Sequence, residues 1–279
     1  MMKKRLLSTS LAIVLVPFAL AGCGQHRAAV GSDKNEITMG ISPGPYSELF
    51  ISAIEPVLIQ KGYTVKHVNF TGLLESDVAI NEGAVDFNVD QHTAYLDTFN
   101  AQRGADLTPL VRIPTVAAAI FSTRHNALND VSAQAKVAIP QDPSNASRAY
   151  RLLEKAGWIT LKADANPVLL TRTDISNNTK QIDIVEMDSA NIPRTLQDVD
   201  YAVIPGSVAY ASKVDQSKAL LREDLIDNLY LVVAVKTGNE KTKWADEIKQ
   251  AYLSNSFKQY VISHNANNVW NLPPAAQPQ

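Results

Sequence analysis

The 279-residue sequence is short of several things, and each shortage removes a class of protein. It has one cysteine, Cys23, so no internal disulfide framework and no cysteine-based zinc site can form. Lys+Arg number 26 against 28 Asp+Glu, a net charge of −2, which offers no bulk attraction to nucleic-acid phosphates. With 12 glycines and 14 prolines, collagen-like and low-complexity classes are excluded. Beyond the first two dozen residues no apolar run reaches about 18 residues, the length a spanning helix needs. There is no G-x-S-x-G, H-E-x-x-H, P-loop or G-x-G-x-x-G. The five histidines, His26, His67, His92, His125 and His264, are too scattered to suggest a metal pair. Asp86 and Asp90, four apart on an expected strand, would stand about 13 Å apart, too far to share a proton. The expectation is a protein that is not an enzyme, with no cofactor and no metal.

What is present begins with an export signal. Lys3, Lys4 and Arg5 precede an apolar stretch over 6–20, diluted only by Ser8, Thr9 and Ser10, and Leu20-Ala21-Gly22-Cys23 follows. A basic start, a short apolar run and small residues are the pattern of a secretory signal peptide. The Leu-Ala-Gly-Cys end resembles a bacterial lipobox, which implies cleavage before Cys23 and lipidation of that residue. Residues 1–22 are thus expected to be removed, and 23–35 to form a lipidated, flexible tether. The mature chain would carry 23 basic and 28 acidic residues and sit on a membrane through its lipid.

The remainder alternates strand and helix patterns. Strands are expected over Ile37–Ile41, Tyr63–Phe70, Ala84–Val89, Leu107–Ile113, Val116–Ser122, Lys136–Pro140, Ile182–Met187, Tyr201–Ile204 and Leu229–Val235. Helices are expected over Tyr46–Gln60, Leu73–Glu82, Gln91–Arg103, Ser144–Ala156, Ser189–Leu196, Trp244–Tyr252 and Ser256–Ile262. Ala149, Leu152, Leu153 and Ala156 make the apolar stripe of the Ser144 helix. Such alternation predicts an α/β fold with mostly parallel sheets.

Three ordered segments carry a resemblance: Asp86 to Asp97 (DFNVDQHTAYLD), Val137 to Gly157, and Ile192-Pro193-Arg194 followed by Asp198 to Ile204. With Gly44-Pro45 and the lipobox, they are similar to the NlpA/MetQ family of lipoproteins, the substrate-binding components of methionine-type ABC importers. The resemblance spans roughly residues 36–262. It implies a two-lobed, type II-like periplasmic-binding-protein fold with a ligand held in the interlobe cleft. Residues 36–114 and 229–265 would form one lobe, 115–228 the other, and 266–279 a disordered tail. The implied partners are a small amino-acid-like ligand and an ABC permease of the methionine-uptake type, with the protein anchored on the periplasmic or extracellular face of the membrane.

The family pattern also nominates residues. An arginine at the position of Arg148 implies bidentate grip on a ligand carboxylate; the residues alone favour a solvated stripe with Arg151 and Lys155. Gln91, His92 and Tyr95 match a segment that lines the family's cleft, although Tyr95 in a core and His92 on a backbone group fit as well. Asn145 and Ser144 suit either helix capping or ligand contact. Three departures bear on the ligand: Asp90 where an aromatic is usual, and Pro205 and Leu231 where asparagines are usual. Asp90 has two open readings, an N-cap for a helix starting at Gln91 or a counter-charge for a cationic ligand group. Proline at 205 can supply neither amide nor backbone donor. The leading expectation is a lipid-anchored solute-binding protein. A surface lipoprotein acting through protein contacts, or an extracellular hydrolase, are the rivals from other classes.

Overall fold

The computed structural model describes residues 31–167, 169–265 and 269–274. The signal peptide, Cys23 and most of the tether lie outside them. In chain order, β1 (Glu36–Ile41) leads to α1 (Pro45–Leu49), a π-helical turn over Phe50–Ile54, and α2 (Glu55–Gln60). Then come β2 (Thr64–Asn69), α3 (Leu73–Glu82), β3 (Phe87–His92), α4 (Thr93–Arg103), β4 (Leu107–Arg112), β5 (Thr115–Val116) and β6 (Ala119–Phe121). The middle of the chain gives β7 (Lys136–Pro140), α5 (Pro143–Lys155), β8 (Thr160–Leu161), β9 (Ile175–Asn177), β10 (Asp183–Met187), β11 (Tyr201–Ile204), α6 (Gly206–Ala211) and β12 (Leu221–Arg222). The chain ends with β13 (Leu231–Lys236), α7 (Lys243–Leu253), α8 (Asn255–Ser263) and β14 (Trp270–Asn271).

Two five-stranded sheets organise these elements, ordered β2-β1-β3-β13-β4 and β10-β7-β11-β6-β12. Each has apolar clusters on both faces, which is what helices packed on either side of a sheet produce. Ile37, Phe87 and Val233 anchor the first sheet against Phe50, Trp244 and Tyr252. Val137, Tyr201 and Val203 anchor the second against Tyr150, Leu153 and Trp158. The backbone crosses from the first sheet to the second between β4 and β6, and returns between β12 and β13. The architecture is therefore the two-lobed α/β arrangement.

The sheets are mostly parallel, each with one reversed strand: β13 runs antiparallel to β3 and β4, and β6 antiparallel to β11 and β12. A parallel neighbour requires a crossover connection from the same sheet, usually a helix. Strand β13 instead arrives from the other lobe and is free to run the opposite way. The tail is not disordered throughout, because Trp270 and Asn271 pair with Val116 and Thr115. Asn271 Nδ2 donates to the Thr115 carbonyl at 3.1 Å, and the Trp270 ring meets Tyr46 edge-on with centroids 5.7 Å apart. Proline-rich composition hid an aromatic that has a hydrophobic surface to cover.

Replacing that ring tests the docking. Trp270→Ala is expected to lower unfolding free energy by about 1–3 kcal/mol in urea titration, the scale for removing a large half-buried side chain. An undocked tail would leave stability unchanged.

Candidate functional site

The cleft between the sheets narrows to a cavity of about 70 Å³ lined by Tyr46, Leu73, Asp90, Gln91, His92, Tyr95, Asn145, Arg148, Gly206, Ser207 and Leu231. The first lobe supplies its floor through the end of β3 and the start of α4. The second supplies its roof through the first turns of α5 and α6. Both are carboxyl ends of strands, where open α/β sheets place ligands.

Arg148 is 5% exposed and is held from one side. Its Nε donates to Glu223 Oε2 at 3.0 Å and its Nη2 to Glu223 Oε1, a bidentate pair. Its Nη1 donates to Asn145 Oδ1 at 2.9 Å. The Asn145 amide is itself oriented by Asp142, which caps α5 by accepting from Asn145 N at 3.0 Å. Glu223 is fixed in turn by the Ala118 backbone N–H, 2.6 Å from Oε1. A guanidinium carries five N–H groups. Three are engaged here, so one on Nη1 and one on Nη2 remain for a further acceptor.

His92 does not lie within the helix, as a start at Gln91 would require. Strand β3 runs through it, because Gln91 and His92 pair with Val232 and Leu231 of β13. His92 is the N-cap of α4, its Nδ1 accepting from Tyr95 N at 3.1 Å. Burial, then the positive charge of Arg148, push the imidazole down to about 3. It is neutral at physiological pH, and with Nδ1 accepting, the proton sits on Nε2. Nε2 is buried without a hydrogen-bond partner; the Asn145 amide approaches without completing a bond. The side-chain amide of Gln91 is likewise buried, lying against the Asp77 carboxyl without a completed hydrogen bond. Buried polar atoms without partners cost free energy, and both His92 and Gln91 are among the residues lining the cavity.

Asp90 is not a helix cap, since that role belongs to His92. Its carboxylate accepts from Ser42 N at 3.1 Å and from Ser47 Oγ at 3.0 Å, binding β3 to the loop before α1 and to α1 itself. Burial raises it to about 7, and none of the ion pairs among the described residues involves it. Asp77, buried beneath on α3 with Asn88 Nδ2 donating to it at 2.8 Å, is also raised to about 7 by burial. Tyr95 edges towards the His92 ring, centroids 6.4 Å apart, and burial raises its phenol to about 12.

The structure thus gathers Arg148, His92, Tyr95, Asp90, Gln91 and Asn145 around one cavity. Pro205 is not among the lining residues; as N-cap of α6 it delivers Gly206 and Ser207 there instead. Leu231 lines the cavity from β13. Sequence reasoning missed Glu223, Tyr46, Leu73, Gly206 and Ser207. Glu223 sits in an Arg-Glu-Asp run that reads as solvated surface, and no local signal distinguishes it.

A sequence model of the NlpA lipoprotein family matches residues 37–271. The chain belongs to the NlpA lipoprotein family. Members of the NlpA group are binding proteins and not enzymes. One relative, the D-methionine-binding lipoprotein MetQ of Salmonella typhi, is 30% identical over 256 residues, 91% of each chain. Among solved structures, a nutrient-binding protein from Burkholderia cenocepacia bound to methionine is 30% identical with a TM-score of 0.78, covering 85% of this NlpA lipoprotein and 99% of that chain. A periplasmic substrate-binding protein of an ABC transporter from Coxiella burnetii is 29% identical with a TM-score of 0.78, covering 85% and 100%.

The two buried carboxyls make stability depend on pH. With folded values near 7 against an ordinary value of 3.8, both bind protons more tightly when folded. Their stabilisation is complete below about 3.8 and is lost as pH rises through about 7. Each group contributes a slope of at most about 1.4 kcal/mol per pH unit in that window. Urea unfolding of the unliganded protein is therefore expected to show stability falling from pH 5 to pH 8, with a shallower fall in Asp77→Asn.

Proposed function

We propose that this NlpA lipoprotein is the lipid-anchored solute-binding component of an ABC importer, and that its ligand is amino-acid-like. The observation that carries the reading is the polarity of one cavity in the cleft. Arg148, with its unused guanidinium N–H groups, and His92 line it, and so do the acid Asp90 and the amide Gln91. The first set suits a carboxylate, the second an ammonium. Relatives bearing the names of methionine-binding lipoproteins support a ligand of that general kind. Among the described residues no helix is long and apolar enough to cross a membrane, so membrane attachment falls to Cys23 at the end of the apolar leader.

In this mechanism nothing is chemically changed. The ligand meets one lobe, the second closes on it, and the closed form presents the solute to a permease. Because Glu223 neutralises Arg148, the anion site draws on directed hydrogen bonds more than on net charge. Asp90 must give up its proton to pair with an ammonium, so affinity is linked to pH.

Isothermal titration with a panel of amino acids tests the reading. Binding is expected to weaken about tenfold per pH unit below about 7, and that dependence should vanish in Asp90→Asn. Arg148→Ala alone would strand the buried Glu223 charge. The informative variant is Arg148→Ala with Glu223→Ala, which should stay folded and lose binding by at least about tenfold, the scale of a charged hydrogen bond. For the anchor, Cys23→Ala is expected to move the protein from the membrane to the soluble fraction on cell fractionation.

A further inference from the structure

We propose that Asp77, which does not line the cavity, decides what Gln91 offers there: it holds the Gln91 amide by its N–H end and so presents Oε1 as an acceptor for the ligand's ammonium group. The inference rests on the amino-acid-binding reading above and deepens it by naming the residue that gives the floor its preference for a donor.

An acid on the buried face of α3 needs a reason. Asp77 is 0% exposed and shares that face with Ser76, Ala79 and Ile80. None of the ion pairs among the described residues involves it. Burying such a group without a cation costs free energy, whereas an apolar side chain would pack there freely.

The surroundings commit one edge of this carboxyl and leave the other open. Asn88 Nδ2 donates to Asp77 Oδ1 at 2.8 Å and to Ser76 Oγ at 3.0 Å. Both N–H groups of that amide are spent, so its sense is set. Ser76 has no room to recede, because a Cβ on Gly40 of β1 would stand 2.4 Å from its Oγ. Asp77 Oδ2 has no partner. The Gln91 side chain lies against the same carboxyl, 1% exposed, with neither amide atom bonded. Its backbone is fixed by pairing to Val232 of β13, and the residue lines the cavity. One carboxyl oxygen without a donor therefore meets one amide without an acceptor, and a small rotation of the Gln91 side chain completes the bond.

A primary amide has two ends of similar shape and opposite polarity. An ionised carboxylate only accepts, so it takes the Nε2 end and leaves Oε1 for the cavity. Burial raises Asp77 to about 7, with Asp90 of β3 and the phenol of Tyr95 on α4 as its titratable neighbours, so the carboxylate is the form present above neutral pH. An ammonium group carries donors only and needs an acceptor. A hydroxyl donates or accepts, and is nearly indifferent to the sense of the amide.

Titration calorimetry at pH 8.5, where Asp77 and Asp90 are both ionised, tests this on the purified protein. The probes are the tightest binder among the twenty common amino acids and the α-hydroxy acid with the same side chain, in which hydroxyl replaces ammonium. Wild type is expected to bind the amino acid at least tenfold more tightly. An amide at position 77 turns its own N–H end to Gln91, because Asn88 already donates to the other edge, so Asp77→Asn reverses the Gln91 amide. In that variant the amino acid is expected to bind about tenfold more weakly, the scale of a hydrogen bond to a charged group, and the hydroxy acid to stay within threefold of wild type. Asp77→Asn combined with Gln91→Glu returns an acceptor to the cavity with the number of buried acids unchanged, and is expected to restore the wild-type ratio. A general loosening of the floor would weaken both probes alike. If the ratio in Asp77→Asn equals that of wild type, the inference is overturned while the amino-acid reading stands. If none of the twenty binds wild type, that reading falls and the inference with it.

Discussion

The buried pair of Arg148 and Glu223 is the constraint on which the site depends. Both side chains are 5% exposed, so neither charge survives there without the other. Glu223 lies on the return crossover and holds the backbone of Ala118 on the outgoing one. Arg148 rises from the second turn of α5. One ion pair therefore fixes the helix that roofs the cavity to both connections between the lobes. The same pair dictates what the arginine can still do, because its side edge is occupied and only its end is free. An arginine in a binding cleft is normally discussed as a positive charge. Here Glu223 offsets that charge, and on the function proposed above the grip on an anion would fall to the direction of the two remaining N–H bonds.

The floor is governed by a second constraint, the desolvation of acids. Asp77 and Asp90 sit among buried groups with hydroxyls and amides for company and no cation. Water has been withdrawn from them, and their protons are retained to near neutrality as a result. On the function proposed above, a cationic group entering the cleft would supply the partner that the fold withholds.

Much of the fold was legible in the chain. The strands Lys136–Pro140 and Tyr201–Ile204 and the helix Leu73–Glu82 fall where apolar pattern and punctuation put them, since buried strands are continuous apolar runs and Gly83 stops the helix in the left-handed conformation. The start of α4 was misplaced by two residues because Gln91 and His92, polar and unpromising as strand, are held by β13 from the far end of the sequence. No local rule sees a partner about 140 residues away. For the same reason Arg148, Gln91, His92 and Tyr95 were nominated by motif, whereas Glu223 was invisible: its importance arises only when the return crossover is folded against α5. The direction of the one reversed strand in each sheet was also beyond local reading, because it follows from which lobe a strand arrives from.

The hydroxyl of Tyr46 grips both the N–H and the carbonyl of Val116, and that strand edge is further paired to Trp270. From Ala119 onward the chain belongs to the other sheet. Ala118, between them, is held at its N–H by the Glu223 carboxylate and at its carbonyl by the Glu223 N–H. The two connections between the lobes are thus laced to each other through Glu223, and Ala117 and Ala118, both buried, are small enough to let them lie side by side.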